Sequence, residues 1–173
     1  AYMDFWEESL LKEVAQYDNL IILRTCSKAF GMAAIRLGFA VANSTLTAAI
    51  RAVKSPYNVN TVTQAMGTTV LSQSGLLHQG IEQLCNAKAQ LLSAMGQLKQ
   101  QFPGSLHVYE SRTNFVFLKT AYAKEWYEYL LKNGVCIRFM GQYLRITAGN
   151  EQENDTVVAL SRAFLEKERG KFA

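Results

Sequence analysis

Apolar residues recur along the chain at two spacings, one typical of helices and one typical of strands. Between residues 61 and 101 they recur every three, four or seven positions, which predicts one long helix or two helices in line, with a kink at Ser74-Gly75. Shorter apolar runs at 20–23 and 37–42 predict strands, and the spacing within 2–17 predicts a short helix before them. This alternation of helices and buried strands indicates an α/β fold.

The second half of the chain has four short runs that predict strands, at 106–110, 114–119, 136–140 and 143–148. A helix that carries Trp126 is predicted between the second and third runs, and Asn133-Gly134 ends it. A last helix begins after Asn150, with Glu153 in the capping-box position. The pattern predicts a small α+β layer.

The predicted boundary between two structural units is Pro56, which lies ahead of the long helix. Proline interrupts helices because it lacks the backbone N–H and its ring clashes with the preceding turn. The sequence therefore predicts a first domain at 1–55. A second domain at 56–173 contains the long helix and the α+β layer.

Composition and charge exclude several classes of protein. The chain of 173 residues is 49% hydrophobic and 18% charged, as in globular proteins. Its net charge of +4 comes from scattered lysines and arginines, so no nucleic-acid partner is expected. No stretch approaches the roughly 20 apolar residues of a membrane helix, so we expect a soluble cytoplasmic protein with no membrane partner. The cysteines, Cys26, Cys85 and Cys136, support neither a disulfide framework nor a metal site.

Two arginines are predicted to face each other in a hairpin. Gly141-Gln142 is a two-residue loop of the kind that forms a type II′ turn, and this turn places Arg138 opposite Arg145. Like charges on cross-strand partners, whose Cβ atoms are about 5 Å apart, destabilise a sheet. Guanidinium groups bind carboxylates and phosphates, so one interpretation is a site for an acidic substrate. The alternative is two solvated arginines on an open sheet face.

A lysine that follows a predicted strand is the candidate nucleophile. Lysine amines are protonated at neutral pH, and nearby positive charge or an apolar pocket makes them reactive toward carbonyl groups. Arg36 and the apolar residues near Lys28 can provide this setting. The hydroxyls of Thr25 and Ser27, with the guanidinium of Arg36, are the donors that a phosphate group needs. From residue chemistry alone, the alternative is a loop lysine beside a core strand.

The run Ser27-Lys28-Ala29-Phe30-Gly31, followed by Ala34-Ile35-Arg36-Leu37-Gly38, resembles the cofactor-lysine signature of the fold-type I aminotransferases, classes I and II. The resemblance implies that Lys28 holds pyridoxal 5′-phosphate covalently and is the catalytic residue. It implies that Ser27 and Arg36 bind the cofactor phosphate, with a contribution from Thr25. It also implies the fold: the C-terminal part of the fold-type I pyridoxal-phosphate-dependent transferases, with the end of the large α/β domain and the small α+β domain.

Three further segments resemble elements of the same family. Ala1-Tyr2 resembles the end of an Asp-x-Ala-Tyr element, which implies that the Tyr2 hydroxyl binds the phenolic oxygen of the cofactor. The run 143–147 resembles the element whose arginine binds the substrate α-carboxylate, and Arg145 takes that role. The run 113–115 resembles a strand that leads toward the site, which makes Asn114 a candidate for substrate binding.

The segment 134–138 resembles the part of histidinol-phosphate aminotransferases whose arginine contacts the substrate phosphate, which assigns Arg138. The resemblance implies a homodimer that moves an amino group between an amino acid or phosphorylated amine and a 2-oxo acid. Threonine-phosphate decarboxylases share much of the pattern and provide one alternative. The other is a catalytically silent domain that binds a partner through Trp126, Tyr127 and Tyr129.

Several parts of the family's site have no counterpart in this sequence. They are the aspartate that bonds the pyridine nitrogen, the glycine-containing phosphate loop, the aromatic residue that stacks on the ring and the asparagine beside the phenolic oxygen. We therefore expect this chain to be a piece of an aminotransferase that is inactive by itself.

Overall fold

The computed structural model describes residues 1–6 and 9–171. Packing divides the chain into two units, Ala1–Glu82 and Gln83–Ala173. This division falls within a long helix, whereas the boundary predicted at Pro56 lies ahead of that helix and stays a prediction. None of the helices within the described residues has the length and apolarity needed to cross a lipid bilayer.

The first unit contains a two-stranded antiparallel sheet of β1 (Ile22–Thr25) and β2 (Gly38–Val41). Both strands lie where apolar runs predict them, but their side chains are less buried than the sequence suggests. Leu23 is 69% exposed and Phe39 is 46% exposed. The physical reason is that a two-stranded sheet has no further strand beside it, among the described residues, to cover its apolar side chains.

The segment ahead of β1 is helical, as predicted, but its turns are of the 3-10 type. It forms two 3-10 segments, Met3–Phe5 and Leu10–Gln16, and the Ser9 side chain accepts a hydrogen bond from the backbone N–H of Leu11. Val14 is buried, whereas Leu10 is exposed. The apolar spacing there supports only short turns, because few of its members reach a core.

Three helices follow β2, namely α1 (Ser44–Val53), α2 (Thr61–Leu71) and α3 (Ser74–Gln101). The break before Ser74 confirms the two-helix form of the prediction. Helix α1 is not among the predicted elements, although the Asn43 side chain caps it by accepting a hydrogen bond from the N–H of Leu46 at 2.9 Å. An asparagine ahead of an apolar periodic run is the signal that identifies this helix.

The second unit, to which most of α3 belongs, contains a four-stranded antiparallel sheet in the order β3-β4-β6-β5. Its strands are β3 (His107–Val108), β4 (Phe115–Lys119), β5 (Arg138–Met140) and β6 (Tyr143–Thr147). Its other helices are α4 (Ala123–Lys132) and α5 (Glu151–Lys167). The predicted α+β layer is confirmed in this unit.

The hairpin and the last helix cap follow the predicted local chemistry. Gly141 has a φ of 67°, which a type II′ turn requires at its first central position. The predicted register is confirmed, with Arg138 opposite Arg145. The capping box also forms, because Asn150 and Glu153 each accept a hydrogen bond from the other residue's backbone N–H.

The core of the second unit lies between α3, α4, α5 and the inner face of the sheet. Trp126 is fully buried and donates a hydrogen bond through its Nε1 to the Ser161 hydroxyl at 3.2 Å. It also stacks on Phe164, with ring centroids 5.5 Å apart. Trp126 therefore cannot belong to a docking surface with Tyr127 and Tyr129, so that part of the binding-domain alternative is wrong.

Candidate cofactor and substrate site

The lysine predicted to hold the cofactor lies in a tight loop that follows β1. The N–H of Cys26 donates to the carbonyl of Leu37 at 3.0 Å, and the N–H of Met32 donates to the carbonyl of Cys26 at 3.0 Å. Within the loop the N–H of Gly31 donates to the carbonyl of Lys28 at 3.2 Å, and Gly31 has a φ of 66°, which glycine adopts readily. The buried Cys26 and Met32 anchor the loop, and Lys28 is exposed on it.

The other polar residues predicted for the cofactor lie around the same loop. An Arg36 Nη1 donates to the Ser27 hydroxyl at 3.4 Å and to the Ala33 carbonyl at 2.8 Å. The N–H of Ser27 in turn donates to the Thr25 hydroxyl at 3.2 Å. The structure therefore brings Thr25, Ser27 and Arg36 together, and their role in binding a phosphate stays a prediction.

Arg36 adopts a left-handed backbone conformation, with a φ of 54°. This conformation costs a non-glycine residue roughly 1–2 kcal/mol, so the surrounding structure must hold it. Helix α2 packs on the residues on either side of Arg36. The Thr63 hydroxyl donates to the Ile35 carbonyl at 2.9 Å, and a Cβ at Gly67 would lie 2.5 Å from Leu37 Cδ2. The close contact that glycine allows there holds the Arg36 turn in place.

This donor set fits a phosphate-bearing carbonyl cofactor. A guanidinium group and a hydroxyl group stand on the loop that exposes a primary amine, and charge-assisted hydrogen bonds of this kind are among the strongest phosphate contacts. The loop therefore has both an amine for the aldehyde and donors for the phosphate.

Tyr2 begins the first 3-10 segment, where its carbonyl accepts a hydrogen bond from the N–H of Phe5 at 3.1 Å. The same segment carries Asp4, whose carboxylate forms an ion pair with Arg24 of β1. This ion pair is not among the predicted site features. Its two members flank predicted site residues, but 20 positions separate them, so no local pattern signals their contact.

In the second unit, Arg145 of β6 lies between Phe117 of β4 and Arg138 of β5. Its guanidinium carbon is 5.0 Å from the ring centroid of Phe115, which is a cation–π geometry. Its Nε atom is buried and has no hydrogen-bond partner within residues 1–6 and 9–171. A buried unpaired donor is costly, so this site is electrostatically suited to an anion.

A cavity of about 880 Å³ lies beside these arginines. Arg138, Arg145, Ile137 and Tyr127 are part of its lining, together with the capping residue Glu153. Asn114 is half-buried and does not line this cavity, although its carbonyl accepts a hydrogen bond from the N–H of Ala148 at 3.0 Å. The structure thus joins the two predicted arginines at one cavity and places Asn114 outside its lining.

Comparison with known proteins gives matches along most of the chain. The family model for aminotransferases of class I and II matches residues 1–160. The histidinol-phosphate aminotransferase of Clostridium kluyveri is 38% identical over 163 residues, which cover 91% of this chain and 45% of that protein. The chain thus spans about half the length of the curated relatives it matches.

Solved structures share the fold. The histidinol-phosphate aminotransferase of Clostridium acetobutylicum superposes with a TM-score of 0.83 at 20% identity, covering 96% of this chain and 53% of that one. The L-threonine-O-3-phosphate decarboxylase of Porphyromonas gingivalis superposes with a TM-score of 0.79 at 24% identity, covering 95% of this chain and 53% of that one. These likenesses confirm the predicted fold class, part of the fold-type I transferase fold.

Proposed function

This chain belongs to the class I and II aminotransferase family, and from that premise we propose that the complete protein containing it is a pyridoxal-phosphate-dependent aminotransferase. The observation that carries the proposal is the loop after β1. There an exposed lysine, Lys28, stands next to the hydroxyl of Ser27, and that hydroxyl is hydrogen-bonded to Arg36. An amine and a phosphate-binding pair on one fixed loop suit an aldehyde cofactor that carries a phosphate.

Ser27, Arg36 and Thr25 would hold the cofactor phosphate, and the Tyr2 hydroxyl would donate a hydrogen bond to its phenolic oxygen. When bound, pyridoxal phosphate supplies an electron sink for the negative charge that develops at the substrate Cα. The chain's residues supply orientation and proton transfer. The left-handed turn at Arg36 is held by α2, so the guanidinium is positioned before any anion binds.

Lys28 is the proposed acid and base. The Lys28 amine would accept the proton from the substrate Cα and later return a proton, acting first as general base and then as general acid. A proton acceptor must lie within hydrogen-bond reach of the proton it takes, and the loop's internal hydrogen bonds fix the backbone that carries the Lys28 side chain. Substitution of Lys28 should abolish this proton transfer, and the contacts proposed for the cofactor phosphate should remain.

Arg145 and Arg138 would bind the substrate's anionic groups. In this proposal Arg145 takes the α-carboxylate, Arg138 takes a second anion such as a phosphate, and Asn114 contributes to substrate binding. The cross-strand register and the shared cavity support a substrate that carries two acidic groups or alternates between them. The names of the curated relatives favour histidinol phosphate as the amino donor, and the acceptor that we propose is a 2-oxo acid.

We further propose that the reaction takes place in the cytoplasm in a homodimer, and that this chain is inactive by itself. The inactivity follows from the family's site elements that have no counterpart here, above all the aspartate for the pyridine nitrogen. Without that group the cofactor ring is a weaker electron sink.

A second candidate reaction is decarboxylation of a phosphorylated amino acid. The facing pair of Arg138 and Arg145 favours it, because such a substrate carries a carboxylate and a phosphate in one molecule. The two reactions can be distinguished in an assay, because a decarboxylase releases carbon dioxide, whereas an aminotransferase consumes a 2-oxo acid.

The test is an assay of the complete protein with histidinol phosphate and with threonine phosphate, each with and without a 2-oxo acid. We expect amino transfer from histidinol phosphate, lost in Lys28→Ala and kept in the matched exposed-lysine variant Lys54→Ala. Carbon dioxide release from threonine phosphate would favour the second candidate. Full amino transfer by Lys28→Ala would contradict the role of Lys28.

A further inference from the structure

We propose that Asp4 and Arg24 are positioning residues, whose ion pair holds the Tyr2 turn against the strand that leads to Lys28. The inference rests on the proposed function, because Tyr2 and Lys28 serve the same cofactor there. Neither Asp4 nor Arg24 is assigned a contact with the cofactor or the substrate. Their effect would reach the reaction through the placement of Tyr2 relative to Lys28.

The ion pair is largely shielded from water. The Asp4 side chain is 8% exposed and the Arg24 side chain is 22% exposed, and an Arg24 Nη2 donates to an Asp4 carboxylate oxygen. Removing one partner from such a pair leaves the other charge poorly solvated, which is strongly unfavourable. The pair is therefore a specific connection between two segments, unlike a pair of surface side chains that water can replace.

On one side, the pair is connected to Tyr2 through a short and well-defined turn. The N–H of Phe5 donates to the Tyr2 carbonyl at 3.1 Å, and the N–H of Trp6 donates to the Met3 carbonyl at 3.1 Å. The Tyr2 and Phe5 rings also pack together, with centroids 6.4 Å apart. Because Asp4 lies inside this turn, fixing its carboxylate also fixes the backbone that carries Tyr2.

On the other side, the pair is connected to Lys28 through β1. Arg24 is paired with Phe39 in the sheet, and the Cys26 N–H that follows donates to the Leu37 carbonyl at 3.0 Å. The loop that carries Lys28 starts from that hydrogen bond. The Asp4 carboxylate also lies close enough to this segment to add to the effect of burial in raising the pKa of the Cys26 thiol. Asp4 therefore lies at the base of the lysine loop.

The test uses the complete protein loaded with pyridoxal phosphate and reads the absorbance of the bound cofactor against pH. A hydrogen bond from Tyr2 to the phenolic oxygen sets the midpoint of that titration, so Tyr2→Phe should shift it. We expect Asp4→Asn to shift the midpoint in the same direction. The double variant Tyr2→Phe/Asp4→Asn should match Tyr2→Phe alone, because residues that act through one contact are not additive.

Asp4→Glu tests the geometry while it keeps the charge. The longer side chain preserves the ion pair but displaces the turn, so a smaller shift in the same direction is expected without loss of the fold. Glu128→Gln is the matched control, because it removes the exposed pair with Lys124, whose charged atoms are 3.9 Å apart, and should leave the midpoint unchanged.

Wild-type midpoints in both Asp4 variants, or shifts that add to that of Tyr2→Phe, would overturn the positioning role. Such a result leaves the proposed function standing, because the wild-type protein still carries cofactor on Lys28. Absence of cofactor on Lys28 in the wild-type protein, read by borohydride reduction and peptide mass mapping, would instead refute the proposed function itself.

Discussion

Arg145 lies directly opposite Arg138 in the β5–β6 ladder, and its guanidinium lies over the ring of Phe115. Two positive charges on neighbouring strands repel each other, and the Arg145 Nε is buried without a hydrogen-bond partner in the described part of the chain. The Arg145 guanidinium therefore has a donor that can still bind an anion.

Phosphate should raise the melting temperature of this chain, and Arg138→Ala should reduce that rise to the part that comes from the Ser27 and Arg36 donors. Ligands that bind only the folded state stabilise it by mass action. In the absence of phosphate, Arg138→Ala should change the free energy of unfolding by no more than about 0.5 kcal/mol, since it removes a repulsive contact at an exposed site. Differential scanning fluorimetry measures both. Arg51→Ala, an exposed arginine of α1, is the control and should keep the phosphate response.

Phe115→Leu should remove the cation–π contact that orients the Arg145 guanidinium. The loss of a partly exposed cation–π contact costs about 0.5–1 kcal/mol. In the complete protein we expect a raised KM for the carboxylate substrate with a smaller change in kcat, because the ring orients a binding group and takes no part in proton transfer. Tyr109→Leu is the control, since Tyr109 packs on Tyr143 in the same unit, with centroids 6.4 Å apart, and is not the strand partner of Arg145. Equal KM effects in both variants would contradict a specific role for Phe115.

Ser161→Ala should destabilise the second unit because it leaves the Trp126 Nε1 buried without an acceptor. An unsatisfied buried donor costs about 1–3 kcal/mol. Urea unfolding followed by tryptophan fluorescence measures the loss. Ser93→Ala, at an exposed position of α3, should change the free energy of unfolding by less than about 0.5 kcal/mol.

Alkaline pH should destabilise the first unit through Cys26. Burial raises the pKa of this thiol, and the nearby Asp4 carboxylate raises it further. Above the ordinary thiol pKa the unfolded chain loses the proton while the folded chain keeps it, so the free energy of unfolding falls as pH rises. Urea unfolding between about pH 7 and about pH 10 measures this change, and the free energy of unfolding should fall less steeply with pH in Cys26→Ala than in the wild type. Cys136→Ala, an exposed thiol, should follow the wild-type slope.

Local chemistry explains which elements could be predicted from the sequence. The Gly141 turn, the Arg138–Arg145 register and the Asn150 capping box depend on residues close in the chain, and all three form as predicted. The Lys28 loop likewise contains hydrogen-bonding partners close in the chain, such as Ser27 and Arg36, which are nine positions apart. In each case the interacting groups are specified by their spacing.

Contacts between distant residues could not be predicted in this way. The Asp4–Arg24 ion pair joins residues 20 positions apart, and the packing of Gly67 on Leu37 depends on where α2 comes to rest. The exposure of Leu23 and Phe39 likewise depends on how many strands lie beside them. Such features follow from tertiary packing, which periodicity does not describe.

The most direct test of the central claim is borohydride reduction of the complete protein after incubation with pyridoxal phosphate, followed by peptide mass mapping. We expect one stoichiometric phosphopyridoxyl adduct on Lys28, in lower yield in Arg36→Ala because the phosphate loses its guanidinium partner. No adduct should form at that peptide in Lys28→Ala. An adduct at another lysine with Lys28 unmodified, or labelling spread evenly over exposed lysines, would contradict the assignment.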